Sequence, residues 1–254
     1  MTVLLIGGAG GVGVGVLRHL AARDSVRVLD IVGLPSEYRS GNVSSIVGDV
    51  GDPTIVHAAC AGVSAVIHAA AVIPPMAFTP GQVADAYAVN VASVHTALDA
   101  AAKAGAGSFV HVSSMSVYEG FGHRPIDPTA PPDANDVYGL TKRLGEQVCA
   151  SLAPTMTEAH GLPASSARLA FPTPDDMWPR WVLPRGRPNN PEPCLDDGTP
   201  LPALAMSDVA AALIATMTYR GPYRPFSITA DVDHVSMTHD DGTSDTLGWR
   251  PART

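Results

Sequence analysis

Cysteine is scarce in this sequence, charge is sparse, and no apolar run is long enough to span a bilayer. The three cysteines, Cys60, Cys149 and Cys194, are odd in number, widely separated and form no CxxC pair. They are expected to be reduced thiols of a cytoplasmic protein, and no metal is expected. Charged residues make up only 16% of the chain and apolar ones 46%, which excludes a disordered chain and suits a packed globule. Basic residues are too few to form a binding face. The formal net charge of −8 speaks against nucleic acid or an anionic membrane as partner. It does not exclude a phosphate-bearing small molecule, which backbone N–H groups and a helix dipole can hold. The first residues are apolar, but no basic residue precedes Arg18 and glycines interrupt them. They read as a glycine-rich turn and not as a secretory leader.

The 254 residues suffice for one large core, or one core with a small lobe. Apolar runs at Val3–Ile6, Val26–Ile31, Val43–Gly48, Ala65–Ala70, Ser108–Ser113 and Ala164–Phe171 read as buried strands. Between them, Val14–Arg23, Pro53–Ala61, an alanine-rich Gln82–Ala104 and Tyr138–Ser151 read as helices. Strands alternating with helices predict a parallel sheet covered on both faces, an α/β doubly wound fold of Rossmann type. The proline-rich stretch from Pro172 to Pro202 has little periodicity and predicts a lid or small lobe. A helix over Asp208–Thr218, capped by Ser207 or Asp208, and a last strand at Pro225–Thr229 follow; the tail beyond Asp231 is weakly patterned. The expected division is a nucleotide-binding domain over 1–171, to which 207–218 and 225–229 return. The rest, 172–206 and 230–254, forms a small substrate lobe.

Gly7, Gly10 and Gly13 lie directly after the first strand and open the first helix. Such glycines permit a tight turn, close approach of backbone to a pyrophosphate, and close contact of helix with strand. The phosphates would rest on the helix N-terminus at Gly11 and Val12. The same pattern without context is often a mere turn. Asp30 ends the second strand, where its carboxylate can accept hydrogen bonds from an adenosine ribose and repel a 2′-phosphate. That favours NAD over NADP, with Arg39 close enough to blur the preference. Asp49 and Val50 end the third strand near where adenine would lie, though a turn role suits Asp49 nearly as well. His68, Ala69 and Ala70 close the fourth strand with little bulk. A lone histidine is usually structural, so His68 is expected to line the site and take no part in chemistry.

Tyr138 and Lys142 stand one helical turn apart on one face. A phenol with a pKa near ~10 is a poor base at neutral pH. An adjacent ammonium would lower it and make Tyr138 a general acid/base. Ser114, at the end of the fifth strand, could polarise a reacting carbonyl. A bare Y-x-x-x-K pair is more often a surface pair. Its place after a strand ending in serines, and downstream of a glycine loop, is what gives it weight.

These residues together resemble the short-chain dehydrogenase/reductase superfamily, in its extended, epimerase/dehydratase-like branch. The matching stretches are GGAGGVG (7–13), LD (29–30), GDV (48–50), HAAA (68–71), Asn90 within YAVNVASV, HVSSMSVY (111–118), YGLTK (138–142) and Glu146. RLAFP (168–172), SDVAAAL (207–213) and LGWRP (247–251) follow in order. The resemblance implies that the tyrosine is the acid/base, that Lys142 also holds the nicotinamide ribose, and that Ser114 contacts the reacting oxygen. It implies a supporting role for Asn90, a packing asparagine being the plain alternative. It also implies a homodimer through the Gln82–Ala104 and Tyr138–Ser151 helices.

Two departures stand out. Phe171 occupies the place where many relatives carry asparagine before Pro172, altering contacts near the nicotinamide. The stretch from Pro172 to Asp208 is short for enzymes that enclose a nucleotide sugar. A small or medium-sized substrate is therefore expected, near Val72, Met115, Phe171, Trp178, Arg180 and Trp181. Met177 could join that wall, and Arg180, Arg185 and Arg187 could receive a carboxylate, although a lobe core and a solvated loop explain the same residues. The expected reaction is exchange between an alcohol and a ketone or aldehyde with NAD(H). The alternatives are an epimerase or dehydratase that keeps its NAD, and a non-redox tailoring or regulatory protein on the same scaffold.

Overall fold

The apolar runs become strands that are largely buried, except the run at Val43, expected to be buried, which forms the edge strand Val43–Val47 with only exposed and half-buried residues. The computed structural model describes residues 1–39, 41–73, 78–182, 192–231, 233 and 235–253. In chain order the elements are β1 (Thr2–Ile6), α1 (Gly11–Ala21), β2 (Ser25–Asp30), β3 (Val43–Val47), α2 (Pro53–Cys60), β4 (Ala65–His68), α3 (Pro80–Tyr87) and α4 (Ser93–Lys103). They continue with β5 (Phe109–Ser114), α5 (Val137–His160), β6 (Ala164–Leu169), β7 (Pro172–Thr173), β8 (Leu204–Ala205), α6 (Met206–Thr218), β9 (Pro225–Ile228) and α7 (Thr243–Leu247). The sheet order is β3-β2-β1-β4-β5-β6-β9, and every pairing is parallel. The order reverses between β1 and β4, which opens a crevice at the carboxyl ends of those strands.

Two apolar layers clamp the sheet. Leu17 and Leu20 of α1 meet Val209 and Leu213 of α6 on one face. On the other, Val56 of α2 and Val94, Ala97 and Leu98 of α4 meet Cys149 and Ala153 of α5. A smaller cluster of Met115, Val117, Tyr118, Ile126, Ala170 and Met237 sits beyond the end of β5.

Several boundaries differ from expectation. The alanine-rich helix is two helices joined by a π-helical turn at Ala88–Ala92. It begins earlier than Gln82, because Thr79 and Gln82 form a reciprocal capping box. Helix α5 runs nine residues past Ser151, through the exposed Pro154 to a left-handed Gly161. Apolar Leu152, Ala153 and Met156 continue its buried stripe and carry it that far. The cap expected at Ser207 or Asp208 is a correction: α6 starts at Met206 without a side-chain cap of its own. Asp175 of the lobe takes that role, accepting from the Ser207 backbone N–H at 3.0 Å and its hydroxyl at 2.8 Å. Asp208 instead accepts from the Ala252 and Arg253 N–H groups at 2.8 and 3.2 Å. The tail assigned to the substrate lobe packs largely on the sheet domain. Trp249 lies in the α1–α6 layer, and Thr243 accepts from the Ser227 N–H of β9 at 3.1 Å.

Candidate active site

The glycine loop sits at the reversal point of the sheet. Gly7 has φ +82° and a Cβ there would lie 2.4 Å from the Ala70 backbone nitrogen. At Gly13 a Cβ would lie 2.3 Å from the Gly7 carbonyl oxygen. Only glycine fits either place. Helix α1 opens at Gly11 with no acidic residue in its first turn and no side-chain cap, so N–H groups around Gly11, Val12 and Gly13 remain available to a phosphate. Asp30 braces the loop: its carboxylate accepts from the Ala9 N–H at 2.9 Å and the Val32 N–H at 3.1 Å. Ala69 and Ala70 lie against Gly7 and keep the crevice clear. A narrow backbone cradle, a carboxylate one strand over and a small-residue floor fit a dinucleotide.

Four of the expected cofactor residues also have roles within the fold. Asp49 closes a turn, accepting from the Gly51 N–H at 2.7 Å, and Val50 is buried in the core layer. His68 is fully buried and its Nε2 shares a hydrogen bond with Ser93 at 2.8 Å. Burial holds its pKa at about 3, so the ring is a neutral core group at the end of β4. Asn90 is also fully buried. Its side-chain amide pairs with both backbone groups of Val72 at 2.8 Å and donates to the Thr141 hydroxyl at 2.9 Å. It positions the loop after β4.

Ser114, Tyr138 and Lys142, the residues expected to be catalytic, lie at the end of β5 and the start of α5. Asp136 caps that helix, accepting from the Tyr138 and Gly139 N–H groups at 3.0 Å. Gly139 allows a close approach, since a Cβ there would lie 2.3 Å from the Ser116 carbonyl oxygen. Tyr138 is thereby seated in the first turn of α5, and Ser114 ends the neighbouring β5. The Ser114 oxygen accepts from the Ser116 N–H at 3.1 Å, and its hydroxyl donates to Ser116 Oγ. Asp136 followed by Gly139 was a legible cap signal that the motif reading passed over.

Lys142 corrects one expectation. Its ammonium donates to the Val112 carbonyl oxygen at 2.8 Å and lies 6.0 Å from the centre of the Tyr138 ring. Burial pushes the Tyr138 phenol up to about 12, against a smaller lowering by Ser114. Lys142 is not among the groups that shift the phenol. Burial also lowers Lys142 to about 8, against the opposing field of Glu146.

Glu146 anchors a buried network that motif spacing did not disclose. It accepts from Arg168 at 2.8 and 2.6 Å and from the Ser113 hydroxyl at 2.7 Å. Arg168 also donates to the Tyr118 oxygen at 2.6 Å, and Tyr118 donates to the Pro128 carbonyl at 2.8 Å. Helix α5, strands β5 and β6 and the loop after β5 are thus locked together directly beneath the trio.

On the substrate side, Met115 is fully buried and belongs to the small core cluster, not to a pocket surface. Trp178 is a staple: its indole donates to the Ala203 carbonyl at 3.1 Å, and Arg253 lies over its ring. Arg180 is exposed and contributes its carbonyl to the Thr173 hydroxyl at 2.8 Å. Phe171, Pro172, Trp181 and Val72 are half-buried. Arg185 and Arg187 lie outside the described residues. Among the described residues no group of three or more His, Cys, Asp or Glu is placed to hold a metal, and no helix is long and apolar enough to cross a membrane.

Residues 3–228 match the model of the NAD dependent epimerase/dehydratase family. The chain belongs to that family. That family is NAD dependent, and the fold is shared with a solved short-chain dehydrogenase/reductase superfamily protein with bound NAD. Among family relatives, the NAD-dependent glucose-6-phosphate dehydrogenase of Haloferax volcanii is 32% identical over 160 residues. That match covers 57% of this chain and 60% of the relative's length. Solved structures share the fold over the whole chain. A superfamily protein from Agrobacterium tumefaciens with bound NAD aligns at TM-score 0.76 and 22% identity, over 100% of this chain and 93% of its own. Glucuronic acid dehydrogenase from Chromohalobacter salexigens aligns at 0.76 and 22%, over 100% and 85%. UDP-glucose 4-epimerase from Thermotoga maritima, with UDP-glucose, aligns at 0.76 and 17%, over 100% and 94%.

Proposed function

We propose that this chain interconverts an alcohol and a ketone or aldehyde on a small or medium-sized substrate, with Ser114, Tyr138 and Lys142 as its working groups. The observation that carries the reading is the seating of Lys142, 6.0 Å from the centre of the Tyr138 ring and bonded at 2.8 Å to the Val112 carbonyl, two residues before Ser114 on β5. Bound NAD supplies a two-electron acceptor or donor for the carbinol hydrogen. Tyr138, protonated at neutral pH, gives its proton to a carbonyl oxygen during reduction and takes one back during oxidation. Ser114 holds the same oxygen by hydrogen bonding as charge develops. Lys142, and Asp30 on the adenosine side, would hold ribose hydroxyls. Asn90 sets the loop that carries Val72 beside them.

The family match favours a second reading, in which NAD stays bound and the hydride returns to the substrate. Absorbance at ~340 nm separates the two. Net NADH formation from an alcohol with freely exchanging NAD supports the dehydrogenase. Co-purified NAD with product formed and no net absorbance change supports the internal cycle and refutes the first.

A homodimer through α4 and α5 belongs to the same proposal. Half-buried Val91, Leu144, Val148 and Leu152 line an open apolar groove between those helices, which a second copy would cover. Sedimentation should give a dimer, and Leu144→Arg should give a monomer; a monomeric wild type refutes it.

A further inference from the structure

Phe171 is the one non-glycine residue with positive φ, +44°, among the described residues. A bulky side chain in that conformation is strained, and strain of this kind collects where a fold places a functional group. The surroundings hold it there. The Phe171 carbonyl accepts from the Leu204 N–H at 3.0 Å, and the preceding Ala170 N–H donates to Ile228 at 3.1 Å. The Phe171 ring stacks on Phe121 with centres 5.2 Å apart and meets Trp181 edge-on at 5.4 Å. Gly122, with φ +89°, leaves its turn flat against the ring: a Cβ there would lie 3.3 Å from Phe171 Cζ. Thr173 fixes the third member, donating to the Arg180 carbonyl at 2.8 Å and accepting from the Val182 N–H at 3.1 Å. Trp181 is thereby pinned between two tethered residues.

The location ties these rings to the chemistry. Phe171 follows the end of β6, where Leu169 is in register with Ser114, and both phenylalanines pack on the cluster that contains Met115. Met115, Val117 and Tyr118 are buried, whereas Phe121, Phe171 and Trp181 each keep part of their surface open. Three partly open rings beyond the ends of β5 and β6 offer dispersion and apolar burial. Their one polar atom is the Trp181 indole N–H, a buried donor without a hydrogen-bond partner, so most sugar hydroxyls pressed against them would lose hydrogen bonds to water without replacement.

We infer that Phe121, Phe171 and Trp181 form an aromatic wall that receives a flat apolar group, aryl or alicyclic, attached to the reacting carbinol carbon. The inference rests on the hydride-transfer reading for the location of that carbon, but the wall itself is a binding surface and is tested as one.

The experiment measures binding of 1-phenylethanol and of D-glucuronate to the NAD-loaded protein by calorimetry, with NADH formation followed in parallel. The variants are Phe171→Asn and Phe121→Leu. Asparagine tolerates positive φ, so Phe171→Asn keeps the fold, and Phe121→Leu removes the stacking partner without touching that backbone. The wall predicts that 1-phenylethanol binds at least tenfold more tightly than glucuronate, and that each variant erases most of that preference. Tighter binding of glucuronate, no measurable binding of 1-phenylethanol, or an unchanged preference in both variants overturns the wall. Ring-dependent binding of 1-phenylethanol without NADH formation upholds the wall and counts against hydride transfer. NADH formed from glucuronate alone does the reverse.

Discussion

On the glycine-loop side of the site, each functional position follows from local backbone demands and regular elements: a strand end, a turn only glycine can make, a helix N-terminus. On the lobe side, two-residue strands β7 and β8 are the regular pairing. There, side-chain ties over long sequence distances do the holding: Trp178 to Ala203, Asp175 to Ser207, Arg253 to Asp175. Between the two lies the Glu146–Arg168 network, buried and fully paired. The difference shows where this fold invests rigidity. The parts proposed to hold coenzyme and to carry the catalytic hydroxyls are over-determined, and the lobe proposed to meet substrate hangs on a few polar contacts.

Substitutions can break that contrast. The largest effect is expected at Glu146. Glu146→Leu leaves Arg168 buried without its counter-charge and should cost about 3–5 kcal/mol in denaturant unfolding, with a drop in Tm on the order of 10 °C. Pairing it with Arg168→Met should recover most of that loss. A small effect of the single change would show that the network is not what makes this side rigid.

The pH dependence comes next. Burial lowers His68 to about 3 and holds His111 well below the ordinary histidine range. The unfolded chain takes up those protons first, so stability should fall as pH drops below about 6.5. Lys142, lowered to about 8, acts on the alkaline side. The unfolded lysine keeps its proton to near ~10.4, so stability should rise with pH between those values. Lys142→Met should remove the alkaline rise, read by urea unfolding at stepped pH. A slope that survives the substitution would assign it to another group.

The smallest effect is expected in the lobe. Thr173→Val removes two hydrogen bonds that hold the segment around Trp181 and should cost only about 1 kcal/mol of global stability. Substrate affinity should nevertheless weaken, with NAD affinity unchanged. A loss as large as that at Glu146 would erase the contrast between the two sides.

The same contrast explains what the sequence disclosed. Gly7, Gly13, Ser114 and Tyr138 were legible because each answers a local demand, and strands β1 to β6 were legible as apolar runs of the right length. The roles of Asn90, His68 and Met115 were not, because spacing says which residues share an element and not which way the element turns them. The π-helical turn that buries Asn90 against Val72 leaves no periodic mark in an alanine-rich stretch. The Lys142 contact with Val112, 30 residues away, depends on the packing of α5 on β5. The Trp178 and Thr173 ties lie in a segment without periodicity, so nothing local distinguished a staple from a pocket wall.

The central claim is that the Tyr138 hydroxyl exchanges the substrate proton while other groups hold NAD. Its most direct test compares Tyr138→Phe with the wild type, following NADH at ~340 nm together with NAD affinity. The account predicts at least ~100-fold loss of turnover with coenzyme affinity nearly intact. Near-normal turnover in the phenylalanine variant would contradict it.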